Sequence, residues 1–142
     1  MKLQLALAVL AVGVFAPPGV TAQTYKGLEA KAVSIARATN VSLTDCPPGE
    51  NIVRGVIKPG DANEFASVKV DFTVTPAFKP TAIAKPVLYD EAGKSYNTAQ
   101  SFAEIGATQT FSCTFSFRVP KGTKLTRLTI DTLALDLKSV AQ

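Results

Sequence analysis

The chain has 142 residues, with no histidine, no tryptophan and two cysteines. Without histidine there is no Ser-His-Asp or Cys-His nucleophile and no His-ligated zinc or iron, and two cysteines cannot complete a four-cysteine metal site. The net charge of +4 is scattered without a polybasic run, so anionic-membrane binding is only weakly indicated and no nucleic-acid partner is expected.

The first residues, "MKLQLALAVLAVGVFAPPGVTA", place Lys2 before an apolar run from Leu3 to Ala16, then a Pro-Pro-Gly break and a small-residue end at Val20-Thr21-Ala22. That is the pattern of a secretory signal peptide, residues 1–22, cut before Gln23. No later apolar stretch approaches the about 18 residues of a membrane span, so no transmembrane segment is expected after processing. Residues 23–142 then form one secreted or periplasmic domain with fourteen Lys and Arg against eleven Asp and Glu.

From Tyr25 to Leu43, apolar residues at Leu28, Ala30 and Ala32 and then at Val33 and Ile35 give a period near two with a slip, which predicts one or two strands. A short helix through "GLEAKAVSIARA" is the alternative on propensity. "DCPPGEN" is a loop, because its prolines cannot donate to a ladder, and it places Cys46 at a strand end. A brief strand follows around Ile52 to Ile57. "FASVKVDFTVTP" predicts a half-buried strand, with Phe65, Val68, Val70, Phe72 and Val74 on one face, ended by Pro76.

Pro80 and Pro86 make the next segment an edge strand or a connection. "PVLYDEAGKSY" predicts a hairpin that turns at Asp90 to Gly93, with Tyr89 and Tyr96 pairing across it. One helical turn is possible at Ser101 to Ile105. In "TFSCTFSFRVP" the residues Phe111, Cys113, Phe115, Phe117 and Val119 share a face over ten residues of unbroken alternation. "KGTK" turns the chain into "LTRLTIDTLALDL", where Leu128, Ile130 and Thr132 give way to Leu133, Leu135 and Leu137 after a slip, read as a bulge or a change of sheet. About seven short strands with close turn signals predict an all-β, immunoglobulin-like β-sandwich.

In an oxidising compartment Cys46 and Cys113 are expected to form a disulfide, the alternatives being two free thiols or an intermolecular link. The carboxylates at Asp90 and Glu91, Asp131 and Asp136, and Asp61 and Glu64 read as turn and strand-flank polarity, although a pair of them could in principle serve a hydrolase or a loop calcium site. Arg118, Lys121, Lys124 and Arg127 form the densest basic cluster and, with Tyr89 and Tyr96, are the candidate interaction surface. Asn40-Val41-Ser42 fits the glycosylation acceptor pattern, which matters only in a eukaryotic secretory pathway. No catalytic set, cofactor or metal site is predicted.

The segment from about residue 63 to 132 resembles the telokin-like immunoglobulin-like family of exported bacterial proteins. The likeness is carried by Val68, Val70 and Phe72, then Asp90, Gly93 and Tyr96, then Gly106, and finally Phe117, Val119 and Pro120. It implies a β-sandwich and export, and no shared catalytic residues. The chain departs from much of that family in lacking a lipid-attachment cysteine. The expected function is a secreted or periplasmic, non-enzymatic β-sandwich that mediates protein interaction or envelope association through an unidentified protein partner. A small-ligand, carbohydrate or calcium-binding module is the alternative, and a carboxylate-based hydrolase a further one.

Overall fold

A computed structural model describes residues 23–47, 53–57, 60–102, 105 and 110–142, with residues 53–57 described by their backbone alone. The expected leader, residues 1–22, lies outside them, as do Ile52, Gly106 and part of the expected helical turn at 101–105. The described residues contain no helix.

Ten strands are present among them: β1 (Gln23–Tyr25), β2 (Leu28–Ala38), β3 (Val41–Thr44), β4 (Val53–Ile57), β5 (Asn63–Val74), β6 (Val87–Asp90), β7 (Ser95–Asn97), β8 (Thr110–Pro120), β9 (Leu125–Ile130) and β10 (Leu133–Asp136). Two four-stranded antiparallel sheets, in the orders β1-β2-β5-β8 and β10-β9-β6-β7, face each other, and β3 pairs with β4 in a small third sheet. The chain is therefore an all-β sandwich. The strands beyond the expected seven are short ones of three to five residues.

The core follows from alternation. Ala66, Val68, Val70 and Phe72 of β5 and Cys113, Phe115, Phe117 and Val119 of β8 all point inward and are buried. The register sets Val70 opposite Cys113 and Phe72 opposite Phe111. Phe72 stacks on Phe111 at 5.1 Å between centroids and meets Phe102 and Phe115 edge-on at 5.8 and 6.3 Å. Leu88, Leu128, Ile130 and Leu135 supply the opposing layer. Phe65 departs from the expected face: it is buried, but it alternates with Ala66 onto the outer side of the sheet. Ser67 and Ser116, directly opposite each other on that side, are also buried and share a 2.8 Å hydrogen bond.

The slip near Val33 is a β-bulge. Ala32 faces Val70 and Ser34 faces Lys69, so Val33 has no partner on β5 and is 43% exposed rather than in the core. The slip after Ile130 has a different cause from the bulge or sheet change the pattern suggested. Ile130 faces Leu133, so Asp131 and Thr132 are the two turn residues of a hairpin between β9 and β10. Asp131 adopts φ 52°, and its Oδ2 accepts the Tyr25 hydroxyl proton at 2.7 Å, a tie from the β9–β10 turn to β1 of the other sheet.

The β1–β2 hairpin closes through Lys26 and Gly27, at φ 50° and 79°, the two positive values of a type I′ turn. Gly27 is fixed by more than its dihedral. Its carbonyl accepts the Thr75 N–H and hydroxyl at 3.0 and 2.7 Å, which brings the backbone of Ala77 and Phe78 against the place where a Cβ would stand. Left-handed backbone costs an L-residue about 1–2 kcal/mol before any clash. Gly27→Ala is therefore expected to lose more than about 2 kcal/mol in chemical denaturation, whereas Gly93→Ala, with nothing within 4 Å of its Cβ position, loses only the dihedral part.

Cys46 and Cys113 form a disulfide with 5.5 Å between Cα atoms, and both are buried. Cys46 also donates its N–H to the Ser101 carbonyl at 3.1 Å. This ties the segment after β3 to the middle of β8.

Candidate functional site

The outer face of the β10-β9-β6-β7 sheet carries a row of polar and aromatic side chains bordering a depression. Alternation that sends Leu88, Leu128 and Leu135 inward sends their neighbours outward. The register then lines up Ser95, Tyr89, Arg127 and Asp136 as one row across four strands. The Arg127 guanidinium lies over the Tyr89 ring at 4.1 Å from its centroid, a cation–π stack on a solvated face.

Beside this row the sheet has a bulge, because Tyr89 pairs with Arg127 and Asp90 with Leu125. The extra residue, Thr126, donates its hydroxyl to the carbonyls of Tyr89 and Asp90 at 3.4 and 3.2 Å, and its own carbonyl accepts the Leu137 N–H at 2.9 Å. The chain after β10 is thereby drawn along β9. Gln142 completes the docking: its amide spans the Leu125 N–H and carbonyl at 3.3 and 2.8 Å, and its Oε1 accepts from Arg37 at 3.2 Å. Between this segment and the β6–β7 turn lies an open depression of about 970 Å³, bordered by Tyr89, Glu91, Lys124, Arg127, Asp136 and Lys138.

Arg127 makes no ion pair with any described carboxylate, whereas Arg37 pairs with Glu64 at 3.1 Å. Several carboxylates have structural partners. Asp90 Oδ1 accepts the N–H groups of Ala92 and Lys94, both at 2.9 Å, and its Oδ2 accepts the Tyr96 hydroxyl at 2.8 Å. Asp136 Oδ1 accepts the Lys138 N–H at 2.9 Å. Among the described residues no three carboxylates or thiols gather where they could hold a metal ion.

The Asp90–Tyr96 pair has a pH signature. The Tyr96 hydrogen bond, foremost, and the two turn amides hold the Asp90 carboxyl below its ordinary value. Burial, and then the Asp90 carboxylate, raise the Tyr96 phenol above its ordinary 10.0. A depressed carboxyl contributes stability above its unfolded pKa and loses it as pH falls through the folded value. A raised phenol contributes below 10.0 and loses its contribution as pH climbs through the folded value. Ultraviolet titration is therefore expected to show one tyrosinate appearing late, absent from Tyr96→Phe. In carboxyl NMR Asp90 is expected to titrate at a higher pH in that variant.

The structure places the predicted surface residues in three groups. Tyr89, Lys124 and Arg127 come together at the depression. Arg118 is exposed but lies on β8, in the other sheet, and Lys121 is exposed in the turn between β8 and β9. Tyr96 is only 9% exposed and belongs to the core. It faces Leu88, while Tyr89 faces Ser95, so the expected tyrosine pair across the hairpin does not form. Lys138 was not among the expected residues. Its signal is weak: it follows the outward positions Ala134 and Asp136 by the same period, which can be read only once the turn at Asp131 is recognised.

No family model matches the chain, and no curated protein does. Among solved structures the chain is similar to an uncharacterized β-sandwich protein from Clostridium difficile 630. The identity is 10%, the match covers 79% of this chain and 83% of that one, and the TM-score is 0.48. The fold assignment rests on the two sheets themselves.

Proposed function

We propose that the chain is an exported, non-enzymatic β-sandwich of the telokin-like immunoglobulin-like type, and that it binds a protein partner through the outer face of the β10-β9-β6-β7 sheet. The observation that carries this reading is the Tyr89–Arg127 stack beside the depression. Tyrosine and arginine are, with tryptophan, the side chains enriched at interface hot spots. The Arg127 guanidinium lies over the Tyr89 ring and makes no ion pair with a described carboxylate, so its donors remain available for a partner's carboxylate or carbonyl groups. The buried disulfide is compatible with export to an oxidising compartment, and no described helix is long and apolar enough to cross a membrane.

Crosslinking and co-purification with the tagged, exported protein test the reading. Arg127→Ala and Tyr89→Ala are expected to abolish capture of the partner while leaving the melting temperature within a few degrees of the parent. Capture unaffected by both variants would move the interface elsewhere. Robust turnover in a hydrolase screen would overturn the non-enzymatic part.

The size of the depression favours a second reading, a small-ligand or carbohydrate module, because such sites commonly enclose about 300–1,000 Å³. A ligand panel separates the two. A compound that raises the melting temperature of the parent, and not of Tyr89→Ala, supports the ligand reading.

A further inference from the structure

The position of Gln23 points to a covalent modification, an inference that rests on the export reading, in which cleavage leaves Gln23 as the new N-terminus. We propose that the exported chain matures to carry pyroglutamate at residue 23. Gln23 opens β1, where it faces Ala30 across the ladder, and its side chain is exposed. Its amide takes no hydrogen bond among the described residues. The contrast with other glutamines is sharp. The Gln100 amide is bound to Thr44, Thr114 and Ser116, and the Gln142 amide to Leu125 and Arg37. Cyclisation needs a free α-amine, which cleavage before residue 23 gives to Gln23 and which Gln100 and Gln142 lack, and it needs a side-chain amide free to fold back on that nitrogen.

The step balances without any co-reactant. The neutral α-amine of Gln23 attacks its own Cδ; the N–Cδ bond forms, the Cδ–Nε2 bond breaks, and ammonia leaves with the proton the amine gives up. An α-amine with a pKa of about 7.7–8.0 is partly neutral at physiological pH. Ring closure involves only N, Cα, Cβ, Cγ and Cδ of residue 23, so the extended backbone from Thr24 onward is untouched. In the lactam Cδ takes the place of the peptide hydrogen, as in proline, so at most the terminal ladder bond of β1 is given up while the pairs Thr24 to Glu29 and Tyr25 to Leu28 remain. What disappears is the terminal positive charge and the free amine that aminopeptidases require.

The fold gives this modification a purpose. Tyr25, two residues further on, is buried and ties β1 to the Asp131 turn of the opposite sheet. Trimming from a free end would reach that tie after two cleavages. A lactam at residue 23 closes the route.

The test uses the full 142-residue precursor, expressed in a host that processes signal peptides. Intact mass and tandem sequencing of the N-terminal peptide are recorded over time at neutral pH, with a synthetic peptide QTYKG as the rate control. The expected product is the disulfide-bonded chain 23–142 lighter by about 17 Da, the mass of one ammonia. Gln23→Ala is expected to show no such loss and to be trimmed by an added aminopeptidase that leaves the parent intact. A chain that starts at Gln23 and keeps its amide after the control peptide has converted overturns the proposal and leaves the cleavage reading standing. A chain that starts elsewhere overturns both.

Discussion

Cys113→Ala is expected to lower the stability of the oxidised domain by about 4 kcal/mol or more. The bond closes a loop with a sequence separation of 67 residues. In the chain-entropy account such a closure restricts the unfolded chain by about 4 kcal/mol. The native state loses packing as well, since Cys113 sits in the core opposite Val70 and Cys46 is 1% exposed. The corresponding fall in melting temperature is about 15 °C for a domain of this size. The double variant Cys46→Ala/Cys113→Ala is expected to cost little more than the single one, because both remove the same constraint. Guanidinium denaturation of the three proteins measures this, and an unchanged midpoint would show that the cross-link contributes nothing to stability.

The sandwich was legible because the residues that build it obey one rule. Ten residues of β8 keep period two without error, and β5 and β6 keep it well enough to place their turns. The misreadings occur where a second local rule interrupts the first. At Asp131 a non-glycine residue at positive φ makes a tight turn that resembles a bulge in the apolar pattern. At Val33 a true bulge turns an apolar residue outward. Tyr96 was misplaced for a related reason. A hairpin's cross-strand partners depend on turn length, and the Asp90 carboxylate, by accepting from Ala92 and Lys94, fixes that length through interactions no periodicity reports.

The candidate site was legible only in part, since its residues come together through register rather than spacing. Tyr89 and Arg127 stand 38 positions apart and meet because β6 pairs with β9. Arg118 looked equivalent to Arg127 in sequence, yet the turn at Lys121 to Lys124 carries the chain from one sheet to the other, so the two arginines stand on different sheets.

Gln100→Ala is expected to cost about 3 kcal/mol, a large effect for a polar residue. β8 pairs with β5 on one side only, and an unpaired strand edge buried in protein would strand its N–H and C=O groups. Gln100, 2% exposed, substitutes for the missing strand. Its Oε1 accepts the Ser116 N–H, and its Nε2 donates to the carbonyls of Thr114 and Thr44, all at 2.7 Å. The side chain thus joins β8 to β3, and the neighbouring Thr98 makes a bridge to Phe117. Truncation leaves the buried Ser116 N–H and the partly buried Thr114 and Thr44 carbonyls without their partner, at about 1–3 kcal/mol for each group that water cannot reach. Gln100→Glu separates this account from a packing effect, since it preserves shape but sets a carboxylate oxygen against two carbonyls. Burial and those carbonyls would raise its pKa above the unfolded value of about 4.3. The protonated form is then the tolerated one, so the variant's deficit is expected to be smallest below pH 4 and to grow as pH rises through the folded pKa. A deficit in Gln100→Glu that does not change with pH, relative to the parent, would mean that the amide is not facing those carbonyls and that the β8 edge is closed in another way.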